Sequence, residues 1–240
     1  MKHAVHLGDC LDIMKSIPTG SIDMILCDLP YGTTACNWDS VIPFAPLWKQ
    51  YGRIIKPNGA IGLTANEPFA TVLRMSNFKN YRYDWIWNKK FAGSFGIAKY
   101  QPMRIHENVC VFYKKAPTYN RQMVKRDKPI HKGGNGNSES GQLNKKIEGF
   151  KKSYDEKCPE TILNFNVREG RGLHPTQKPV ALFEYLIKTY TNEGDTVLDN
   201  CAGSGTTGVA CENTGRNSIL IEKEQKYYDI ILNRLYPDLF

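Results

Sequence analysis

Apolar residues along this chain fall into two kinds of block, and their alternation predicts the architecture. Short apolar runs bounded by Gly, Pro or Asp read as buried strands at residues 3–8, 22–27, 60–64, 83–87, 109–113, 196–199 and 218–221. Helical periodicity marks 11–17, 44–55, 68–76, 180–190, a segment from a glycine-rich turn through 211, and 225–235. Within 180–190, Leu182, Tyr185, Leu186 and Thr189 share one face. Lys56-Pro57-Asn58-Gly59 reads as punctuation ending the 44–55 helix. About seven strands alternating mostly with helices predict an α/β fold, a mostly parallel sheet with helices on both faces. No helix of crossover length separates 83–87 from 109–113, so an antiparallel pair is expected there. Between 114 and 173 periodicity disappears. That stretch holds Gly133-Gly134-Asn135-Gly136-Asn137 and continues to Gly141, and a run this long without elements reads as functional or mobile.

Charge changes this picture. The net charge is +8. It is balanced over 1–78, strongly positive over 79–178 and negative over 179–240. A basic excess confined to mid-chain points to a polyanion partner rather than to a merely solubilising surface. The seven cysteines contain no CxxC, so neither a disulfide framework nor a metal site is indicated, and reduced thiols in the cytoplasm are expected. No apolar run approaches the ~20 residues of a membrane span.

Two stretches carry chemistry. The strand at 22–27 ends in Asp28-Leu29-Pro30-Tyr31, which presents a carboxylate and an aromatic ring at a strand end, where open α/β sheets bind ligands. Such a set accepts hydrogen bonds from an amino group and stacks a flat ring; taken alone, a solvated Asp and a packing Tyr are the simpler reading. The strand at 196–199 ends in Asp199-Asn200-Cys201-Ala202-Gly203-Ser204-Gly205-Thr206-Thr207, a turn whose glycines allow close backbone approach. Glu222 ends the next strand, where an acid can hold ribose hydroxyls. Carboxylates beside this turn suit a cationic sulfonium ligand better than a pyrophosphate.

Together these motifs resemble the amino-group DNA methyltransferases, whose hallmarks are a (D/N/S)PPY tetrapeptide and a DPFxGSGTT-like loop. The motif order here, tetrapeptide first and cofactor loop last with a basic region between, resembles the circularly permuted β class. His174-Pro175-Thr176-Gln177-Lys178-Pro179 is similar to that class's HPTQKP segment, and Gly8-Asp9, Trp87-Asn88-Lys89 and His106-Glu107-Asn108 resemble further landmarks. Leu29 stands where the family has its first Pro, and Asn200 and Cys201 where it has Pro and Phe. The resemblance implies a Rossmann-like methyltransferase sheet of seven strands. It divides the chain into a catalytic half at 1–113, a target recognition insert at 114–173 and a cofactor half at 174–240.

The resemblance also implies a mechanism and a site. S-adenosylmethionine donates a methyl group to the exocyclic N6 of a flipped-out adenine, with Asp28, Pro30 and Tyr31 catalytic. Asp28 and the Pro30 carbonyl accept hydrogen bonds from the amino group, and Tyr31 stacks on the base. Phe91 or Phe95 offers the other face, although ordinary packing is the simpler reading of each. Cofactor contacts are implied for Asp9, Cys10, Asp28, His174, Thr176, Lys178, Asp199, Asn200, Ala202, Gly203, Ser204, Gly205, Thr206, Glu222 and Lys223. Among these, Asp9 meets the adenine amino group, Glu222 the ribose, and Thr176 and Lys178 the carboxylate. Asp199 orders the loop or receives the cofactor's amino group. In the insert, Lys125, Arg126, Lys128, Lys132, Lys145, Lys146, Lys151 and Lys152 fit phosphate contacts. Arg168 and Arg171 suit phosphate or guanine edges. Partners implied are double-stranded DNA, a second copy in a homodimer and a cognate restriction endonuclease; a membrane is not among them. Three other readings compete: cytosine-N4 methylation, a DNA-binding relative impaired in catalysis, and a nicotinamide oxidoreductase, which leaves the tetrapeptide and the basic insert unexplained.

Overall fold

The computed structural model describes residues 2–32, 40–93, 95–134, 150–167 and 177–239. With strands numbered in chain order, eight form one sheet. Its order is β1 (His3–Leu7), β10 (Asn217–Glu222), β9 (Thr196–Asp199), β2 (Ile22–Cys27), β3 (Ile55–Ala65), β5 (His106–Phe112), β4 (Tyr81–Asn88) and β8 (Ile162–Asn164). The first five run parallel. β5 is antiparallel to both β3 and β4, as the short connection between 87 and 109 requires. The helices are α1 (Cys10–Ile13), α2 (Phe44–Ile54), α3 (Phe69–Ser76), α4 (Val180–Tyr190), α5 (Thr206–Thr214) and α6 (Gln225–Leu235).

β2 is central because its residues are apolar on both faces. Ile25 and Cys27 enter a core with Leu47, Tyr51 and Ile54 of α2 and Phe69 and Leu73 of α3. Met24 and Leu26 enter another with Leu182, Leu186 and Ile187 of α4 and Ala210 and Cys211 of α5. A strand buried on both faces reads as a continuous apolar run rather than an alternating one. From β2 the chain therefore passes to helices on one face, and from the adjacent β9 to α5 on the other. The crevice between two such diverging connections is where open α/β sheets bind ligands.

Two expectations are corrected. The Lys56–Gly59 punctuation lies inside β3, which starts at Ile55 directly after α2. Ile22 pairs with Ile55 but Met24 pairs with Ala60, so the extra residues are absorbed as an irregularity within the strand. Gly59 permits this: a Cβ there would lie 2.5 Å from Ile55 Cγ1 and 2.7 Å from the Asp23 carbonyl oxygen. Gly59→Ala is expected to destabilise the fold by about 2 kcal/mol, because backbone cannot retreat as a side-chain end can; a denaturant midpoint unchanged from wild type would refute this.

The second correction concerns 114–173, which contains strands after all. β8 pairs with β4 and makes the sheet eight-stranded rather than seven. Residues Arg121–Glu160 form a compact unit of their own, built on the antiparallel pair β6 (Val124–Gly134) and β7 (Phe150–Lys157). Periodicity failed here because the hairpin is nearly all polar, leaving no apolar face to alternate. Gly133 and Gly134 end β6; the rest of the glycine-rich stretch lies outside the described residues.

Candidate active site

Asp28 follows β2 directly, and everything around it is set by neighbouring strand ends. Its Oδ1 accepts a hydrogen bond from the Thr64 hydroxyl and another from Tyr31 Oη at 2.9 Å; Tyr31 Oη also lies 3.0 Å from Thr64 Oγ1. Thr64 is at the end of β3, fully buried. Lys178 Nζ donates to Asp28 Oδ2 at 2.6 Å and stands 3.7 Å from Glu107 Oε2. Glu107, on β5, also pairs through Oε1 with Lys89 at 3.1 Å. Its buried Oε2 accepts no hydrogen bond from any described residue. Burial pulls the Lys178 pKa down, but Asp28 and Glu107 outweigh it and hold it above the ordinary lysine value. The Lys178 ammonium thus lies between two carboxylates, Lys89 pairs with the farther one, and Asp28 Oδ2 keeps a lone-pair direction for a further donor. Burial, then the Asp28 charge, raises the Tyr31 hydroxyl pKa well above that of free tyrosine, so Tyr31 stays a neutral donor.

The same cavity, about 440 Å³, continues from Asp28 to the glycine-rich turn. Gly8, Asp9, Cys10, Asn200, Ala202, Gly203, Ser204, Thr206, Glu222 and Lys223 all line it. The turn is built by hydrogen bonds. Asp199 accepts from Cys201 N at 3.1 Å and from the Thr207 hydroxyl. Asn200 Oδ1 accepts from Tyr51 Oη at 2.5 Å. Ser204 O accepts from Arg234 at 2.6 Å. Glu222 accepts from three backbone N–H groups, those of Gly203, Lys223 and Glu224, at 2.7–2.8 Å. Burial raises the Glu222 pKa even so.

Several residues do something other than expected. Asp199 orders the loop, the first of its two expected roles. Gly205 does not line the cavity; with φ of 79° it caps α5, and a Cβ there would meet Ile231 at 3.1 Å. Asp9 caps α1, accepting from Leu11 N at 2.8 Å, while lining the cavity. The resemblance places Lys178 at the cofactor carboxylate; here its ammonium donates to Asp28. The Tyr31 ring stacks on Phe69 with centroids 5.0 Å apart. Leu29 is buried in the core and also lines the cavity, which accounts for an apolar residue at that position of the tetrapeptide. Cys201 packs with Cys10 and Cys27, and burial pushes the Cys27 thiol up to about 12. His174, Thr176, Lys145, Lys146, Arg168 and Arg171, and the side chain of Lys151, lie outside the described residues. Lys125, Lys128, Lys132 and Lys152 are exposed on the hairpin unit, and Arg126 is half-buried, donating to Glu156 O at 3.1 Å. Thr64 was missed: one hydroxyl in an apolar run carries no periodic signal. Glu107 and Lys89 were visible only as landmarks without a role.

Asp199 carries a pH dependence. Burial raises its carboxyl to about 6, above the ordinary carboxylate value of about 3.9. A raised carboxylate is most compatible with the fold when protonated, so its contribution is present below pH ~4 and lost as pH rises through 6. The difference corresponds to roughly 3 kcal/mol. Asp199→Asn should therefore gain in Tm relative to wild type between pH 4.5 and 7; a gap that stays constant over this range rules the effect out.

A cavity of this size, walled by glycine backbone and strand-end acids at an α/β crevice, suits a nucleoside cofactor with an amino-bearing substrate beside it. Five carboxylates line it against three lysines, a balance that fits a sulfonium cation with an ammonium tail. A family model described as DNA methylase matches residues 22–233, and the chain belongs to that family. It is 30% identical to the Type II methyltransferase M.HinfI of Haemophilus influenzae, over 95% of this chain and 67% of the relative. It is 29% identical to the DNA adenine methyltransferase YhdJ of Escherichia coli (strain K12), over 98% of this chain and 82% of the relative. The solved structure of the PvuII DNA methyltransferase (cytosine-N4-specific) matches with a TM-score of 0.70 at 18% identity, covering 98% of this chain and 86% of that one. This family uses S-adenosylmethionine as its methyl donor and DNA as its substrate. No helix among the described residues is long and apolar enough to cross a membrane.

Proposed function

We propose that this protein methylates the exocyclic N6 of adenine at specific sites in double-stranded DNA. The observation that carries the reading is the Asp28 carboxylate, held from three sides at a cavity shared with the cofactor turn. An exocyclic amino nitrogen is a poor nucleophile because its lone pair is delocalised into the ring. Asp28 Oδ2 accepts a hydrogen bond from that amino group and stabilises the positive charge that develops on nitrogen. Tyr31, Thr64 and Lys178 prevent the carboxylate from rotating away, so positioning is settled before the base arrives. The base enters this cavity only when flipped out of the duplex. When bound, S-adenosylmethionine supplies an electrophilic methyl group on sulfur; Glu222, Asp9 and the backbone of Ala202, Gly203, Ser204 and Thr206 would hold it. Adenine is preferred to cytosine because the tetrapeptide begins with Asp, and because the relative YhdJ bears the name of a DNA adenine methyltransferase.

We read 114–173 as the recognition insert, between a catalytic half at 1–113 and a cofactor half at 174–240. Lys132 and Lys152 face each other directly across β6 and β7. Like charges directly opposite each other destabilise a sheet, and phosphate neutralises them. The reading extends to work in the cytoplasm, a homodimer and a cognate restriction endonuclease; sedimentation velocity tests the dimer. Methylation-sensitive sequencing of DNA from expressing cells, with mass analysis of its nucleosides, tests the whole. N6-methyladenine in one recurring context is expected. N4-methylcytosine alone would replace adenine with cytosine, and unmodified DNA would favour the catalytically impaired relative.

A further inference from the structure

We propose that the segment between β4 and β5 is a wedge that enters duplex DNA beside the flipped base and holds the duplex open. The inference rests on the DNA reading above and adds an element outside the recognition insert.

The segment starts from the rim of the catalytic cavity. Lys89 and Glu107 at its two ends both line that cavity. Ala65 at the end of β3 pairs with Asn108 at the start of β5, so the connection emerges at the same sheet edge as Asp28. Its base is stitched by Lys89 N to Ile105 O and Gly93 N to Arg104 O, each 2.9 Å. Beyond these bonds, Phe95 is 83% exposed and Tyr100 77% exposed. Met103 and Ile105 are exposed as well. Phe95 is thus not the packing residue its sequence suggested. Burying large apolar groups is the main gain of folding, so two nearly bare aromatic rings five positions apart add little to the core of this chain.

The charge around them points to the occupant. Residues 89–105 contain Lys89, Lys90, Lys99 and Arg104 and no acid. The Lys99 ammonium lies 4.9 Å from the Tyr100 ring centroid, a cation and a π-face presented together. Aromatic faces among cations are the combination that stacks bases while tracking phosphates. Flipping a base leaves a gap and an unpaired partner base, and inserted apolar side chains fill such gaps elsewhere. A second copy of this chain is the poorer occupant. Across a two-fold axis the segment would meet its own cations with no carboxylate to answer them.

The test uses duplexes carrying the context found by sequencing, with the target base either paired or opposite an abasic site, where flipping needs no wedge. Phe95→Ala, Tyr100→Ala and the double variant are compared with wild type. On the paired duplex, kcat/KM should fall at least tenfold. On the abasic-site duplex it should stay within threefold, with S-adenosylmethionine affinity by calorimetry unchanged. Full activity of the double variant on paired DNA overturns the proposal, as does an equal loss on both duplexes. Equal loss accompanied by a shift from dimer to monomer in sedimentation velocity assigns the patch to a second copy. Wild-type protein inactive on both duplexes overturns the methyltransferase reading and the wedge with it.

Discussion

Asp28→Ala is expected to lower the rate of methyl transfer by about a thousandfold or more at saturating S-adenosylmethionine, while cofactor affinity stays within a few fold. Removing one preorganised group that stabilises transition-state charge typically costs 10²–10³ in rate. Asp28 also holds its partners in place, so the loss should reach the upper end of that range. Lys178 keeps Glu107 at 3.7 Å after the change, so the cavity does not acquire an unpaired buried cation. Asp28→Asn is the informative companion. It preserves shape and one acceptor but removes the charge, and should recover at most about tenfold of the loss. Calorimetric titration separates the two readouts. An Asp28→Ala protein that still turns over within tenfold of wild type would move the amino-group acceptor elsewhere, with Glu107 the nearest alternative.

Lys178→Met should also be severe, in a way that distinguishes two roles. If Lys178 serves the cofactor carboxylate, as the resemblance implies, the variant loses affinity but keeps its rate at saturating cofactor. The 2.6 Å bond to Asp28 predicts the opposite: a drop in kcat of about a hundredfold that no concentration of cofactor restores. Stability should fall too. Breaking one side of a buried ion pair typically costs 3–5 kcal/mol, because the other charge stays behind uncompensated. Asp28 is 22% exposed and can recruit water, so about 2–3 kcal/mol is expected. Glu107→Gln in the Lys178→Met background should return none of this, since Lys89 at 3.1 Å still neutralises Glu107 and only Asp28 is stranded. Denaturant unfolding of the single and double variants measures that coupling.

Most of the catalytic edge was legible from residues alone, for a physical reason. β2, β9 and the α4 and α6 helices carry strong apolar periodicity, so their bounds follow from local sequence, and the motifs lie at their ends where a crevice must form. Asp28, the 199–207 turn and Glu222 are all of this kind. The hairpin β6–β7 was not legible, because two polar strands pair by backbone hydrogen bonds that no side-chain pattern announces. Nor was Gly59, where a turn signal serves an irregular strand because Asp23 lies too close for any side chain.

Sequence by itself determined the class of fold and the glycine-rich turn, and it singled out Asp28 as the candidate acceptor for an amino group. Tertiary structure alone decided what surrounds that carboxylate. Thr64 is 36 residues away and Lys178 150 residues away in the chain, and both reach Asp28 only because β3 pairs beside β2 and α4 packs over it. Contacts of that range leave no periodic trace in the sequence, since each is a single polar residue whose partner is chosen by sheet order. The same holds for Phe95 and Tyr100: local sequence offers two apolar rings for burial, and only the packed fold leaves them exposed.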